Sequence, residues 1–294
     1  MALLIPVSVL AFALNAALTR TVQLKYPVRK GLLRMYQALF CVVAAIVFAV
    51  SYLVGMDAFH LGAPEILYGL VFGVFYFVAT VGSSTGYEIG SMSLTSIIMN
   101  MSLFIPLVYS CMMDKALPTP IQYVGIALIL VTMMLAINPG KKKEGGTSVK
   151  WFLIVLLAFF ANGITAVTQK HYTYKHGEGG LMLFMAIAYL VSALLFLAGA
   201  FLVRRKSGEK LLENLAPVSA MSAVSGLGSY GGNALLGILS APGGIQGPVL
   251  YPCVNGGLCI VSALCSFLFF KEKPSARKLT AIGIGIVAIV LLNL

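Results

Sequence analysis

The stretch LMLFMAIAYLVSALLFLAGAFLV, Leu181 to Val203, holds no charged residue and is followed at once by Arg204-Arg205-Lys206. A helix needs roughly 20 mostly apolar residues to cross the hydrocarbon core of a bilayer. Backbone groups in lipid must be hydrogen-bonded within their own segment, and a barrel strand would alternate polar and apolar positions over a shorter run. Residues 181–203 therefore read as a membrane-spanning helix that stops at a basic interface. Working outward, runs of the same kind occupy residues 2–19, 35–54, 66–85, 91–112, 119–137, 151–169, 216–239, 246–270 and 277–293. With 60% hydrophobic and only 10% charged residues, little chain remains for anything else. The expected fold is an all-α membrane protein of ten transmembrane helices.

Charge sets the expected topology. All of the 20 Lys and Arg residues except Lys115, Lys170 and Lys175 fall in loops after odd-numbered spans or at their edges. The positive-inside rule makes that side cytoplasmic and puts both termini outside. The net charge of +11 is then a consequence of topology, and no nucleic-acid partner is expected. The apolar N-terminus lacks a basic region ahead of it and is followed by Arg20 and Lys25, the reverse of a secretory signal, so it reads as a retained first span. Cys41, Cys111, Cys253, Cys259 and Cys265 all lie within spans, as small apolar side chains, with no disulfide framework or metal spacing.

An internal repeat divides the chain. Residues 114–125, DKALPTPIQYVG, align without gaps on residues 272–283, EKPSARKLTAIG, each introducing the last helix of a group of five. Residues 10–15, LAFALN, match residues 157–162, LAFFAN, at the first helix of each group. A duplicated unit with five crossings inserts its second copy upside down, which creates a pseudo-twofold axis in the membrane plane and a basis for alternating access. The expected organisation is a first five-helix repeat over 1–140, a basic cytoplasmic linker over 141–150 and a second, inverted repeat over 151–294.

With Glu272-Lys273-Pro274-Ser275 before the last span, Gly283 within it, and Pro252 with Asn255-Gly256-Gly257 upstream, the whole chain resembles the drug/metabolite transporter superfamily in its ten-helix, EamA-like branch. Asp114 and Ala116-Leu117-Pro118 depart from that pattern in the first half. The resemblance implies a carrier in the cell membrane with its solute bound between the halves. It leaves the cargo open, because one fold hosts many substrates.

Candidate binding residues are polar side chains placed where lipid would penalise them: Asn15, Asn100, Asn162, Asn233 and Asn255, each in a different span. Interhelical hydrogen bonding is the competing explanation for any one of them. Asn15 and Asn162 gain weight together, as repeat-equivalent positions expected to face a central cavity. Tyr76, Tyr230 and Tyr251 could wall a pocket or stack on a cation, whereas Tyr52, Tyr68 and Tyr189 fit an interfacial belt. Pro252, Gly256 and Gly257 suggest a gate or kink in the ninth span, and Pro106 interrupts the fourth.

Carboxylates are expected in loops or at span ends, leaving Glu88 as the candidate for ion coupling. His60, His171 and His176 read as loop residues, and Arg34 as snorkelling to headgroups. The expected function is a monomeric carrier or facilitator of a small polar solute, neutral or zwitterionic, with no cofactor and no metal. An aromatic-cage carrier of quaternary amines, or a multidrug exporter, is the alternative. A membrane enzyme would need clustered Asp, His or Cys residues at a membrane surface, which the sequence does not offer.

Overall fold

A computed structural model describes residues 3–26, 30–55, 61–89, 95, 98–99, 101–115, 117–136, 148–208, 215–268 and 276–293. Asn100, His60, most of the 141–150 linker and the Glu272–Ser275 motif lie outside the described residues. Among the described residues there is no strand, and ten helices follow one another. They are α1 (Leu4–Lys25), α2 (Lys30–Gly55), α3 (Ala63–Ile89), α4 (Phe104–Asp114) and α5 (Pro120–Ala136), then α6 (Val149–His176), α7 (Leu181–Ser207), α8 (Leu215–Ser240), α9 (Gly247–Leu268) and α10 (Ala276–Leu292). Five of them, α1, α2, α3, α6 and α7, are long and apolar enough to cross a membrane. The chain has the character of an integral membrane protein.

Local chemistry sets the helix ends. Ser148 caps α6 by accepting from the Trp151 amide at 3.2 Å, one of the orphan donors of a first turn. Gly208, at φ 69°, closes α7 after Arg204, Arg205 and Lys206, whose charges suit the negative end of the helix dipole. Pro106 has no amide to give the Ser102 carbonyl, which instead accepts from Ile105 at 3.1 Å. The chain turns at Ser102 and Leu103, and α4 begins just after. α6 continues past the predicted end at residue 169, so Lys170 and His171 are helical and not in a loop.

The order of packing is unusual in that most neighbours come from opposite halves of the chain. α1 lies on α8 and α9, α2 on α7 and α8, α3 on α6 and α7, α4 on α6 and α9, and α5 on α9 and α10. Contacts along each pair give its direction. Arg34 approaches Gly199 while Phe48 stacks on Tyr189, so α2 runs antiparallel to α7. α3 runs parallel to α7, from Gly69 against Phe184 and Ile187 to Gly73 against Ala188 and Val191. It runs antiparallel to α6, with Gly82 at Ala158 and Glu65 at Tyr172. α2 is parallel to α8, since Tyr36 meets Ser225 and Ser51 meets Tyr230. α1 is antiparallel to α8, with Ser8 at Gly232 and Asn15 at Ser225. α5 and α10 are antiparallel too, with Gly125 at Leu292 and Thr132 at Gly285.

These directions collect Arg20, Lys25, Lys30, Arg34, Lys150, Arg204, Arg205 and Lys206 towards one end of the bundle, here termed the basic end. The far end holds Glu65, Asp114, Lys170 and the α8–α9 turn. Two apolar clusters fill the interior. One is built around Tyr36, Phe48, Phe184, Tyr189 and Phe196 between α2, α3, α7 and α8. The other, around Ile129, Leu239, Leu250 and Leu292, joins α1, α4, α5, α8, α9 and α10.

Candidate functional site

α8 carries Ser222, Ser225, Ser229 and Asn233 at spacings of three and four residues, which puts them on one face. Among them Ser222, Ser225 and Ser229 are buried and Asn233 is half-buried. That face looks onto α1, α2 and α7. Asn15 of α1 accepts from the Ser225 hydroxyl at 2.9 Å and from Thr19 at 3.2 Å, and donates to Ser229. Tyr36 of α2 donates to Ser225 at 2.8 Å. Asn233 donates to the Tyr189 hydroxyl of α7 at 2.9 Å and to its own-helix Ser229 carbonyl at 3.0 Å. Gln169 of α6, 3% exposed, donates to the Asn233 carbonyl at 2.8 Å. A continuous polar seam thus joins five helices through the middle of α8, inside an otherwise apolar bundle.

Aromatic rings form one wall of this seam. Phe48 packs edge-on to Tyr230 at 4.7 Å between centroids and stacks on Tyr189 at 5.6 Å. Tyr76 lies 5.8 Å from Tyr189, and the Tyr230 hydroxyl bonds Ser51 at 2.8 Å. On α3, Tyr76, Thr80, Ser83 and Tyr87 share a face by their spacing. The Thr80 and Ser83 hydroxyls return to carbonyls of their own helix.

Asn162 lies on α6 three residues before Thr165 and seven before Gln169, on the face that reaches α8. Thr165 and Gln169 are buried, yet Asn162 is exposed, with its amide donating to Ser102 at 2.6 Å beside the break before α4. Asn162 is thus an exposed amide on the same helix face as the buried Thr165 and Gln169.

Of the residues singled out from sequence, Asn15, Tyr76, Tyr230 and Asn233 come together around Ser225, Ser229 and Tyr189. Asn162, on α6, bonds Ser102 instead. Tyr251 and Asn255 lie elsewhere. Tyr251 is 3% exposed against Gly247 at the far end, and the Asn255 amide returns to the Tyr251 carbonyl at 3.0 Å. In α9, Gly257 lets Val9 of α1 approach, with a Cβ there falling 2.9 Å from the valine, and Gly256 does the same for Ile129 of α5. Both glycines serve close packing, and Pro252 sits inside the continuous α9. Glu88 pairs with Lys30 at 2.6 Å, the two side chains 44% and 58% exposed.

Sequence reasoning missed several members. Tyr189, expected in an interfacial belt, is 1% exposed in the core, and Tyr52 is 7% exposed. The serine spacing on α8 was the available signal for Ser225 and Ser229. Gln169 was overlooked because it closes an apolar run. At the far end, Asp114 stands at a span end as expected, the last residue of α4, but it is paired there, 2.9 Å from the Lys170 ammonium. His171 likewise stacks on Tyr68 at 5.7 Å and bonds Tyr109, so it is not a free loop histidine.

No family model matches the chain, and no curated protein matches it in sequence. It does resemble a solved structure described only as a crystal structure of a protein, at 13% identity and a TM-score of 0.71, covering 99% of this chain and 97% of that one. At that identity the likeness concerns the fold alone: an all-helical bundle of this arrangement is shared along the whole length.

Proposed function

We propose that the chain is a ten-helix membrane carrier, built of two inverted five-helix repeats in the manner of the drug/metabolite transporter superfamily. It moves a small polar solute, neutral or zwitterionic, by alternating access. The observation that carries this reading is the polar seam of Asn15, Tyr36, Tyr189, Ser225, Ser229 and Asn233 in the middle of the bundle. Hydroxyls and amides without a net charge suit a solute that offers both donors and acceptors.

The packing supports the inverted repeat. Exchanging each helix of the first five for its counterpart in the second maps α1 on α8 to α6 on α3, α2 on α8 to α7 on α3, and α1 on α9 to α6 on α4. Where contacts fix directions, counterparts run oppositely: α2 against α7, α5 against α10, and α1 against α6 through their shared neighbours. Ala11 and Ala158, paired by the LAFALN match, take equivalent places. A Cβ on Gly228 would fall 2.7 Å from the Ala11 carbonyl, and one on Gly82 would fall 2.8 Å from Ala158.

Positive-inside topology makes the basic end cytoplasmic. The exposed Lys30–Glu88 pair at that end, set against the Asp114–Lys170 pair at the other, in which the lysine is buried and the carboxylate half-buried, supports a bundle that is open inward. A single chain supplies both halves, so a monomer suffices, and we read the protein as a carrier and not an enzyme.

The test is a thermal-shift screen of purified protein against amino acids, sugars, nucleosides and amines, since a ligand that binds only the folded state raises its melting temperature. Any hit is then followed as flux into proteoliposomes. Asn15→Ala and Asn162→Ala are each expected to impair that flux while leaving expression unchanged. Wild-type rates in both variants remove the seam as the binding site. The close Tyr76, Tyr189, Tyr230 and Phe48 rings favour a second reading, a carrier of quaternary amines. Saturable choline binding that is lost in Tyr230→Ala distinguishes it.

A further inference from the structure

α8 stops at Ser240, two turns beyond Asn233, and the chain turns sharply before α9 starts at Gly247. Among the last carbonyls of α8, Ile238 and Leu239 accept from the Ala241 and Ile245 amides of that turn at 3.3 and 2.8 Å, and the Ser240 carbonyl faces the far end, where the negative end of the helix dipole lies. The Ser240 carbonyl accepts from the Lys170 ammonium at 2.8 Å. The other acceptor on that ammonium is Asp114 Oδ1 at 2.9 Å. The second carboxylate oxygen accepts from Ser110 at 2.6 Å and faces the Gly247 amide at 3.5 Å. The two side chains are 3% and 16% exposed.

The ammonium thus occupies a cation site that α6 does not build. Its oxygens come from α4 and from the broken end of α8, and α6 only delivers the charge. In an alternating bundle this end must open, and parting α6 from α4 and α8 there would take the ammonium off these oxygens. A carboxylate held by two donors beside a negative helix end cannot stay buried and unpartnered.

We propose that Asp114 and the Ser240 carbonyl form the coupling site of the carrier, occupied by Lys170 when the far end is closed and by a small monovalent cation from the medium, a proton or sodium, when it opens. The proposal rests on the carrier reading above and deepens it. Opening exchanges a tethered ammonium for a free cation, so cation supply sets the balance between the two states.

Among the described residues, the other titratable groups near the carboxylate are Tyr109 and Cys111 on α4, Lys115 just after it, His171 on α6 and Tyr251 on α9. α8 contributes only its carbonyl. His176, Glu65, Tyr68 and Tyr172 lie further along the same end.

Spin labels at the exposed positions Leu117 and Tyr174, in reconstituted full-length protein, report the width of the far end without any cargo. A second, longer distance is expected to gain population when the pH falls from about 8 to about 3, a window that spans the ordinary carboxylate and imidazole ranges. Alternatively it gains population when sodium replaces N-methylglucamine at constant pH. A response to pH assigns the proton, and a response to sodium assigns the metal ion.

Asp114→Asn mimics the occupied carboxylate and should favour the long distance in every buffer. The double variant Asp114→Asn/Lys170→Gln, which leaves no buried charge unpaired, should fold and lose the response. A wild-type distribution that ignores both cations overturns the proposal, as does a double variant that still responds like the wild type, which would transfer the effect to His171 or its neighbours. Neither result touches solute binding at the seam, which the flux of Asn15→Ala and Asn162→Ala judges separately.

Discussion

Tyr189 illustrates what a single residue contributes. Its ring fills the core between Phe48 and Tyr76, and its hydroxyl accepts the Asn233 amide at 2.9 Å. In Tyr189→Phe the ring stays and one acceptor goes, leaving Asn233 with the Ser229 carbonyl alone. A net hydrogen bond of this kind contributes about 1 kcal/mol, and stranding a buried donor more. Thermal unfolding in detergent is expected to fall by a few degrees, and, on the carrier reading proposed above, solute affinity with it. An unchanged melting curve and unchanged affinity would remove the seam's dependence on that hydroxyl. Sequence placed the polar residue types of this seam in the bundle but could not orient them. Asn15 and Asn233 read as intramembrane amides whatever they touch, whereas Tyr189 and Tyr251 are indistinguishable by composition, and only their contacts set one in the core against Phe48 and the other at the far end against Gly247.

At the scale of the element, α3 and α8 are the two helices through which the halves interlock. Each opens to a pair of helices of the other half by glycines. On α3, a Cβ at Gly73 would sit 2.6 Å from the Ala188 carbonyl of α7. On α8, one at Gly228 would sit 2.7 Å from the Ala11 carbonyl of α1, and one at Gly226 would sit 2.8 Å from the Phe40 carbonyl of α2. Membrane helices have no water-driven force between them, so close backbone approach supplies much of their attraction.

A side chain that collides with a backbone carbonyl cannot be relieved by a rotamer change. Gly73→Val and Gly228→Val are each expected to destabilise the fold by about 1–3 kcal/mol, the scale of overpacking in a tight core. Gly283→Ala meets nothing within 4 Å and should leave stability within about 0.5 kcal/mol. Denaturant titration of the three variants checks the contrast, and equal losses in all three would refute it. The apolar spans were legible because hydropathy has only one interpretation over such lengths. The early turn at Ser102, the continuation of α6 to His176 and the pairing of Asp114 with the buried Lys170 were not, since each depends on a partner from a distant segment.

For the molecule as a whole, the helices of the first half lean mainly on those of the second. α1 rests on α8 and α9, α2 on α7 and α8, and α3 on α6 and α7. Neither half buries its own faces. Residues 1–140 or 151–294 expressed alone are expected to aggregate or be degraded, while the two expressed together should assemble into a complex with the melting behaviour of the intact chain. Size-exclusion chromatography of the single and combined halves tests this, and a monodisperse, folded single half would contradict it.

What the sequence determined by itself is the membrane-embedded, all-helical character of the chain and the asymmetry of its basic residues, because length, hydropathy and charge are local quantities that lipid and water read directly. The tertiary structure decided which amides share a seam, which carboxylate is buried against which lysine and which helices pair. Those are matters of rotation about a helix axis and of contacts across more than a hundred residues. In a chain apolar on nearly every face, hydropathy carries almost no information about which face turns inward.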